Sequence, residues 1–188
     1  YFLPTFYFLK NNNVNVVIYA GNNDARSITT ALHQGGASRV SGAFRLHEHP
    51  EIIEYLATHD VSLELAPTTR MRESTVSVES SIGGSLFQLL LDNNLNVTIC
   101  SFRLALQPLS RCELLLTVYK SFRSMPGAEN DIAHIVQLFG NSFKSNFLPY
   151  QDRDRMYKEY VEQSTAILTA RGYRFFKKLF WFPDLPQN

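Results

Sequence analysis

Apolar positions along the chain change period several times, and each change marks an element. Over 14–19, Val14, Val16, Val17 and Ile18 crowd β-branched side chains into one short run, the composition of a strand. The run ends in Ala20-Gly21, and helical spacing over 25–34 then stops at Gly35-Gly36. A second short strand is expected at 39–44. His49-Pro50-Glu51 opens a helix to about residue 59, with proline in its first turn and an acid where the helix dipole favours one. Residues 61–65 alternate as a third strand, and 67–81 are polar and turn-like. A helix over 86–91 exits through Asp92-Asn93-Asn94 into a fourth strand at 95–100. Upstream, the apolar stretch 1–8 reads as the end of a helix, broken by Lys10-Asn11-Asn12-Asn13.

Beyond Ser110 the pattern is helical only, over 113–122, 130–139 and 152–170. Arg153, Asp154, Arg155, Lys158 and Glu159 read as a solvated face of the last of these. Repeated strand–turn–helix units point to an α/β fold. A closed eight-stranded (β/α)8 barrel takes about 250 residues. Four strands in 188 residues amount to about half of one, followed by helices. A smaller open α/β sheet is the alternative.

Composition narrows the class. Hydrophobic residues at 45% and charged residues at 19% suit a folded domain with a core. The formal charge of +1 gives no global basic signal, so no nucleic-acid partner is expected. No apolar run reaches the roughly 18 residues of a transmembrane segment. The chain therefore reads as soluble; an intracellular location is compatible, and the compartment stays open. Cys100 and Cys112 form neither a metal-spaced cluster nor a disulfide framework and read as reduced thiols. No nucleophile–base pair or phosphate loop is visible.

Barrel enzymes place their chemistry at the carboxyl ends of the strands. The first strand ends in Tyr19-Ala20-Gly21-Asn22 and the second in Arg39-Val40-Ser41-Gly42-Ala43. Further along stand His49-Pro50-Glu51-Ile52-Ile53 and Val61-Ser62-Leu63-Glu64-Leu65-Ala66-Pro67-Thr68-Thr69. Then come the run from Leu90 to Thr98, and Asn141-Ser142-Phe143 with Phe147-Leu148-Pro149. In order and spacing these segments resemble the C-terminal half of the adenosine/AMP deaminase family, from about Val14 to Val161. The resemblance implies a metal-dependent hydrolase barrel, in which zinc turns a bound water into hydroxide that attacks a purine.

Position by position, the resemblance also implies that this chemistry has been erased. The family's zinc-ligand histidine is Tyr19 here. The glutamate that protonates the ring is Asn22, and the histidine that steers the water is Gly42. The Ser-Asp-Asp-Pro segment, whose first aspartate is a zinc ligand, reads Ser101-Phe102-Arg103-Leu104. None of these replacements is a good zinc ligand, and Arg103 sets a fixed positive charge beside the expected cation. The expectation is no catalytic residue, no metal and no cofactor, although zinc is expected in active relatives. The resemblance thus implies a catalytically inactive relative acting as a structural or interaction subunit of a larger assembly. Two alternatives stand beside it. One is a nucleoside sensor without turnover, with Tyr19, Asn22 and Arg103 holding a purine nucleoside. The other is a zinc-dependent adenosine deaminase completed by a missing N-terminal half.

His47-Glu48-His49 reads as surface rather than as a metal site. Residues 1–170 are read as the partial barrel and 171–188 as an aromatic and basic extension. In that extension Phe175, Phe176, Phe180, Trp181 and Phe182 stand among Arg174, Lys177 and Lys178, a composition suited to a protein partner or an anionic membrane surface, with packing back on this domain as the alternative.

Overall fold

In the computed structural model, residues 2–65, 89–90, 92–100, 111–123 and 131–173 are described. Helix α1 (Leu3–Asn11) leads into β1 (Val17–Ala20), α2 (Arg26–His33) and β2 (Arg39–Gly42). A 3-10 turn (Leu46–Glu48), α3 (Pro50–Thr58) and β3 (Ser62–Leu65) come next, then β4 (Val97–Ile99). Helices α4 (Arg111–Arg123), α5 (Asp131–Lys144) and α6 (Tyr150–Ala170) complete the described chain. The expected turn region 67–81 lies outside the described residues, as does most of the expected helix 86–91.

The four strands form one parallel sheet in the order β1-β2-β3-β4. Sequential order without reversal is that of a barrel arc; a doubly wound sheet reverses at a switch point. The register divides the sheet into two faces, because side chains alternate along a strand. Ile18 lies beside Val40, Val40 beside Leu63, and Leu63 beside Val97. These apolar residues join Ile28 and Leu32 of α2, Ile52, Ile53 and Leu56 of α3, Val118 of α4 and Leu138 of α5 in one core. Val40, Leu63 and Val97 are almost fully buried, each stabilising by about 1.5–3 kcal/mol. The other face carries Tyr19 beside Ser41, Ser41 beside Glu64 and Glu64 beside Thr98.

Several boundaries differ from the sequence pattern. Strand β1 starts at Val17, not Val14, because the Val14 amide still closes α1 by donating to the Leu9 carbonyl at 3.0 Å. Helix α1 likewise persists through Asn11, past the expected break at Lys10. Strand β2 stops at Gly42, since Gly42 and Ala43 take φ of 105° and 51°, which no strand continues. Strand β4 is three residues long rather than six. Helix α5 runs on to Lys144 through the polar pair Asn141-Ser142.

Those polar residues have a structural reason. Asn141 and Ser145 are buried. Asn141 Nδ2 donates to the Val97 carbonyl at 3.0 Å. That oxygen points away from β3, whose ladder bonds go through Asn96 and Cys100. Ser145 Oγ donates to Asn96 Oδ1 at 3.0 Å, and Asn96 Nδ2 donates to Ser62 Oγ at 3.3 Å. Arg39 donates from Nη2 to the Ser145 carbonyl, and its guanidinium lies 4.6 Å from the Phe147 ring centre. The end of α5 is thereby fastened to the amino end of the sheet. In barrels that end serves stability, which leaves the opposite end for chemistry.

Candidate site at the carboxyl ends of the strands

The turn after β1 is built by backbone and small side chains. The Gly21 amide donates to Ser27 Oγ at 2.8 Å, and Ser27 Oγ donates to the Asp24 carbonyl at 2.6 Å. The Arg45 amide donates to the Gly21 carbonyl at 3.0 Å and the Ala43 amide to the Ala20 carbonyl at 2.8 Å. The turns leaving β1 and β2 are thus locked together. Gly21 has φ of 75°, and a Cβ there would stand 2.5 Å from Ile28 Cδ1 and 2.9 Å from Ala43 Cα. Only glycine fits so close an approach.

Two of the expected site positions meet here. Ala20 and Gly42 are register partners, and Tyr19 immediately precedes the first of them. A Cβ on Gly42 would stand 2.8 Å from the Ala20 carbonyl oxygen, 3.2 Å from Tyr19 Cε2 and 3.5 Å from Tyr19 Cδ2. The Tyr19 ring, 50% exposed, thus covers the place where a side chain at position 42 would begin. Asn22 is next in the same turn and is partly buried. Phe102 and Arg103 lie outside the described residues, as do Phe175, Phe176, Phe180, Trp181 and Phe182.

Behind Tyr19 runs the polar face of the sheet. The Ser41 hydroxyl is buried and has no hydrogen-bond partner among the described residues. Thr98 Oγ1 donates to the Leu63 carbonyl at 3.2 Å. The Glu64 carboxylate sits 3.9 Å from Arg39 Nη1. Beyond β4, burial pushes the Cys100 thiol up to about 12; the Glu64 charge adds to this and Arg39 partly opposes it. A thiol in that setting stays protonated and is a poor nucleophile or metal ligand. Sequence reasoning missed the Ser41–Glu64–Thr98 row, which becomes visible only once the strands are in register.

Among the described residues, the donors at these strand ends do not fit zinc. Tyr19, Asn22 and Gly42 bring neither an imidazole nor a carboxylate, the groups that hold the ion in hydrolases. Among the described residues, no group of three or more His, Cys, Asp and Glu side chains could hold a metal ion. His47 and Glu48 stand in the 3-10 turn, while His49 Nδ1 pairs with Glu51 Oε1 at 2.6 Å at the start of α3. The described helices include none long and apolar enough to cross a membrane.

No protein-family model matches the chain. A probable adenosine deaminase of Dictyostelium discoideum is 32% identical over 170 residues, 90% of this chain and 21% of that relative. Among solved structures, an adenine deaminase from Arthrobacter aurescens superposes with a TM-score of 0.73 at 19% identity. It takes in 87% of this chain and 48% of its own. A zinc-bound amidohydrolase from Burkholderia ambifaria gives 0.75 at 13% identity, over 92% and 46% respectively. The chain thus spans about half of each solved structure and about a fifth of the curated relative. The sheet order and these likenesses agree on a partial deaminase-like domain: in sequence the chain is similar to an adenosine deaminase, and in fold it takes up about half of an amidohydrolase-type α/β barrel.

Proposed function

We propose that this chain is a deaminase-derived half-barrel without hydrolytic activity, serving as a structural or interaction subunit of a larger assembly. The observation that carries the reading is the packing of Tyr19 over Gly42. The two positions where relatives of this type need imidazoles hold a phenol and no side chain, and each replacement suits the other. A larger residue at 42 would meet the Tyr19 ring and the Ala20 carbonyl, so position 42 does not take a side chain without strain. The nearest polar row adds a single carboxylate, Glu64, and that group already faces Arg39. A hydrolytic site of this kind needs a metal-activated water and a proton-transferring group beside it. Tyr19, Asn22 and Gly42 supply neither.

The test measures metal content and ammonia release from adenosine, with zinc supplied in excess. Calorimetric titration with adenosine, inosine and AMP accompanies it. No retained zinc, no ammonia and no heat are expected. Stoichiometric zinc or adenosine-dependent ammonia would refute the reading. A second reading, a zinc-dependent adenosine deaminase completed by another half-barrel, is favoured by the identity with the probable adenosine deaminase of Dictyostelium. Ammonia release from the completed protein, but not from this chain, would support it.

A further inference from the structure

The sequence contains one Asn-X-Thr/Ser triplet, Asn96-Val97-Thr98, the pattern at which an oligosaccharide is joined to an asparagine side chain. Triplets that serve this way stand in surface loops. This one leads into β4 at the amino end of the sheet, opposite the candidate site. Each of its residues has a part in the packing. Asn96 Nδ2 donates to Ser62 Oγ at 3.3 Å and to Asp60 Oδ1 at 3.4 Å, and Asn96 Oδ1 accepts from Ser145 Oγ at 3.0 Å. Val97 is buried beside Leu63, and its carbonyl accepts from Asn141. Thr98 is 6% exposed, and its hydroxyl donates to the Leu63 carbonyl.

Glycan transfer uses the asparagine amide nitrogen as nucleophile. A bond forms between that nitrogen and the anomeric carbon of a lipid-pyrophosphate-linked oligosaccharide. The bond from that carbon to the pyrophosphate oxygen breaks, the pyrophosphate leaves with the electron pair, and the amide gives up one proton. In the folded chain the nitrogen faces Asp60 and Ser62, and the Thr98 hydroxyl is spent on the sheet. A sugar on Nδ2 would remove one N–H donor and fill the space between the start of β3 and the end of α5. Asn141 and Ser145, which hold α5 there, are themselves buried, and so tight a contact has no room for a sugar ring. We propose that Asn96 is an N-glycan acceptor only while α5 is undocked, and that a glycan there keeps α5 from docking, so that modification and folding exclude one another. The order of the chain opens a window for transfer. Asn141 lies 44 positions after Val97, and Ser145 lies 49 after Asn96. At about 5–20 residues per second, Ser145 is made about 2–10 s after Asn96, and α5 cannot dock sooner. The inference rests on the packing at the amino end of the sheet and not on the loss of catalysis, so its failure and a detected hydrolysis are separate results.

The experiment translates the chain, behind a cleavable export signal, beside microsomes that hold the transferase and its lipid-linked donor. A parallel reaction contains an excess of a competing Asn-X-Thr peptide, which yields the same chain unmodified in the same compartment. Mass spectrometry is expected to find a glycan on Asn96 in the first reaction, and none there in the Thr98→Val variant, which lacks the triplet. Limited proteolysis is expected to cut the glycosylated chain within residues 131–173 at least about fivefold faster than the unmodified chain, because losing the α5 hydrogen bonds raises the population of the open form. Chain that has folded first and is then added to detergent-opened microsomes is expected to take up no glycan. Absence of a glycan on Asn96 of the nascent chain overturns the proposal. So does transfer to the folded chain, or a proteolysis difference below about fivefold.

Discussion

Replacing Gly42 by alanine should be among the most damaging single-methyl additions in this chain. The residue adopts φ of 105°, a conformation that L side chains rarely enter. Forcing a non-glycine residue into a sparsely populated region costs about 1–3 kcal/mol. The new Cβ would also stand 2.8 Å from the Ala20 carbonyl oxygen, a backbone atom held by the Ala43 amide, and 3.2 Å from Tyr19 Cε2. Overpacking of this kind adds about 1–3 kcal/mol. Together the loss is about 2–6 kcal/mol, large against a typical domain stability of about 5–15 kcal/mol. Urea unfolding monitored by circular dichroism reads it as a lower midpoint at unchanged slope. A double-mutant cycle then separates the two contacts. Tyr19→Ala should recover only the ring contact, about 0.5–1 kcal/mol of coupling, because the carbonyl contact and the φ penalty remain. A Gly42→Ala loss below about 0.5 kcal/mol, within the range of neutral surface changes, would refute the claim that the strand ends are closed to a side chain here.

The packing sets three further outcomes. Asn141→Ala leaves the outward Val97 carbonyl without its donor and should cost about 1–3 kcal/mol, with faster amide exchange in β4; unchanged stability and exchange would contradict the clamp. Stability should rise from about pH 8 to 9, level off, and fall at higher pH. Burial lowers Lys144 to about 8, against 10.5 when unfolded, so over that span the unfolded chain binds more protons and rising pH favours folding. Cys100 acts oppositely from 9 to about 12, because its folded thiol keeps the proton that the unfolded chain loses, and it dominates once Lys144 has titrated in both states. Lys144→Met should abolish the rise while leaving the fall, read from denaturation midpoints across that range; a rise that persists would contradict the assignment. A thiol-reactive probe at pH 8 should label exposed Cys112 quickly and Cys100 only on unfolding; equal rates would contradict the burial assigned to Cys100.

Much of the scaffold was legible because its signals are local. The β-branched run at Val16–Ile18, the Gly35-Gly36 stop and the proline at the start of α3 each act within a few residues. The extension of α5 was not legible. Asn141 and Ser142 look like a helix exit until Val97, 44 positions away, proves to be the acceptor for Asn141. The short β2 was hidden for a similar reason, since its end is set by the close approach of Ala20 and Gly42. At the site, the resemblance implies Tyr19 and Gly42 where the family has imidazoles, and the sequence carries that expectation by itself. Their mutual packing could not be read from it, because it depends on strand register. The Arg39 contacts join β2 to Glu64, Ser145 and Phe147, partners so remote along the chain that spacing carries no signal.

The most direct test of the central claim is elemental analysis of the purified chain after incubation with excess zinc and desalting. The expected result is zinc well below one ion per chain, unchanged by Asn22→Ala. One ion retained per chain, and lost when Tyr19 or Asn22 is replaced by alanine, would show that these strand ends still form a metal centre.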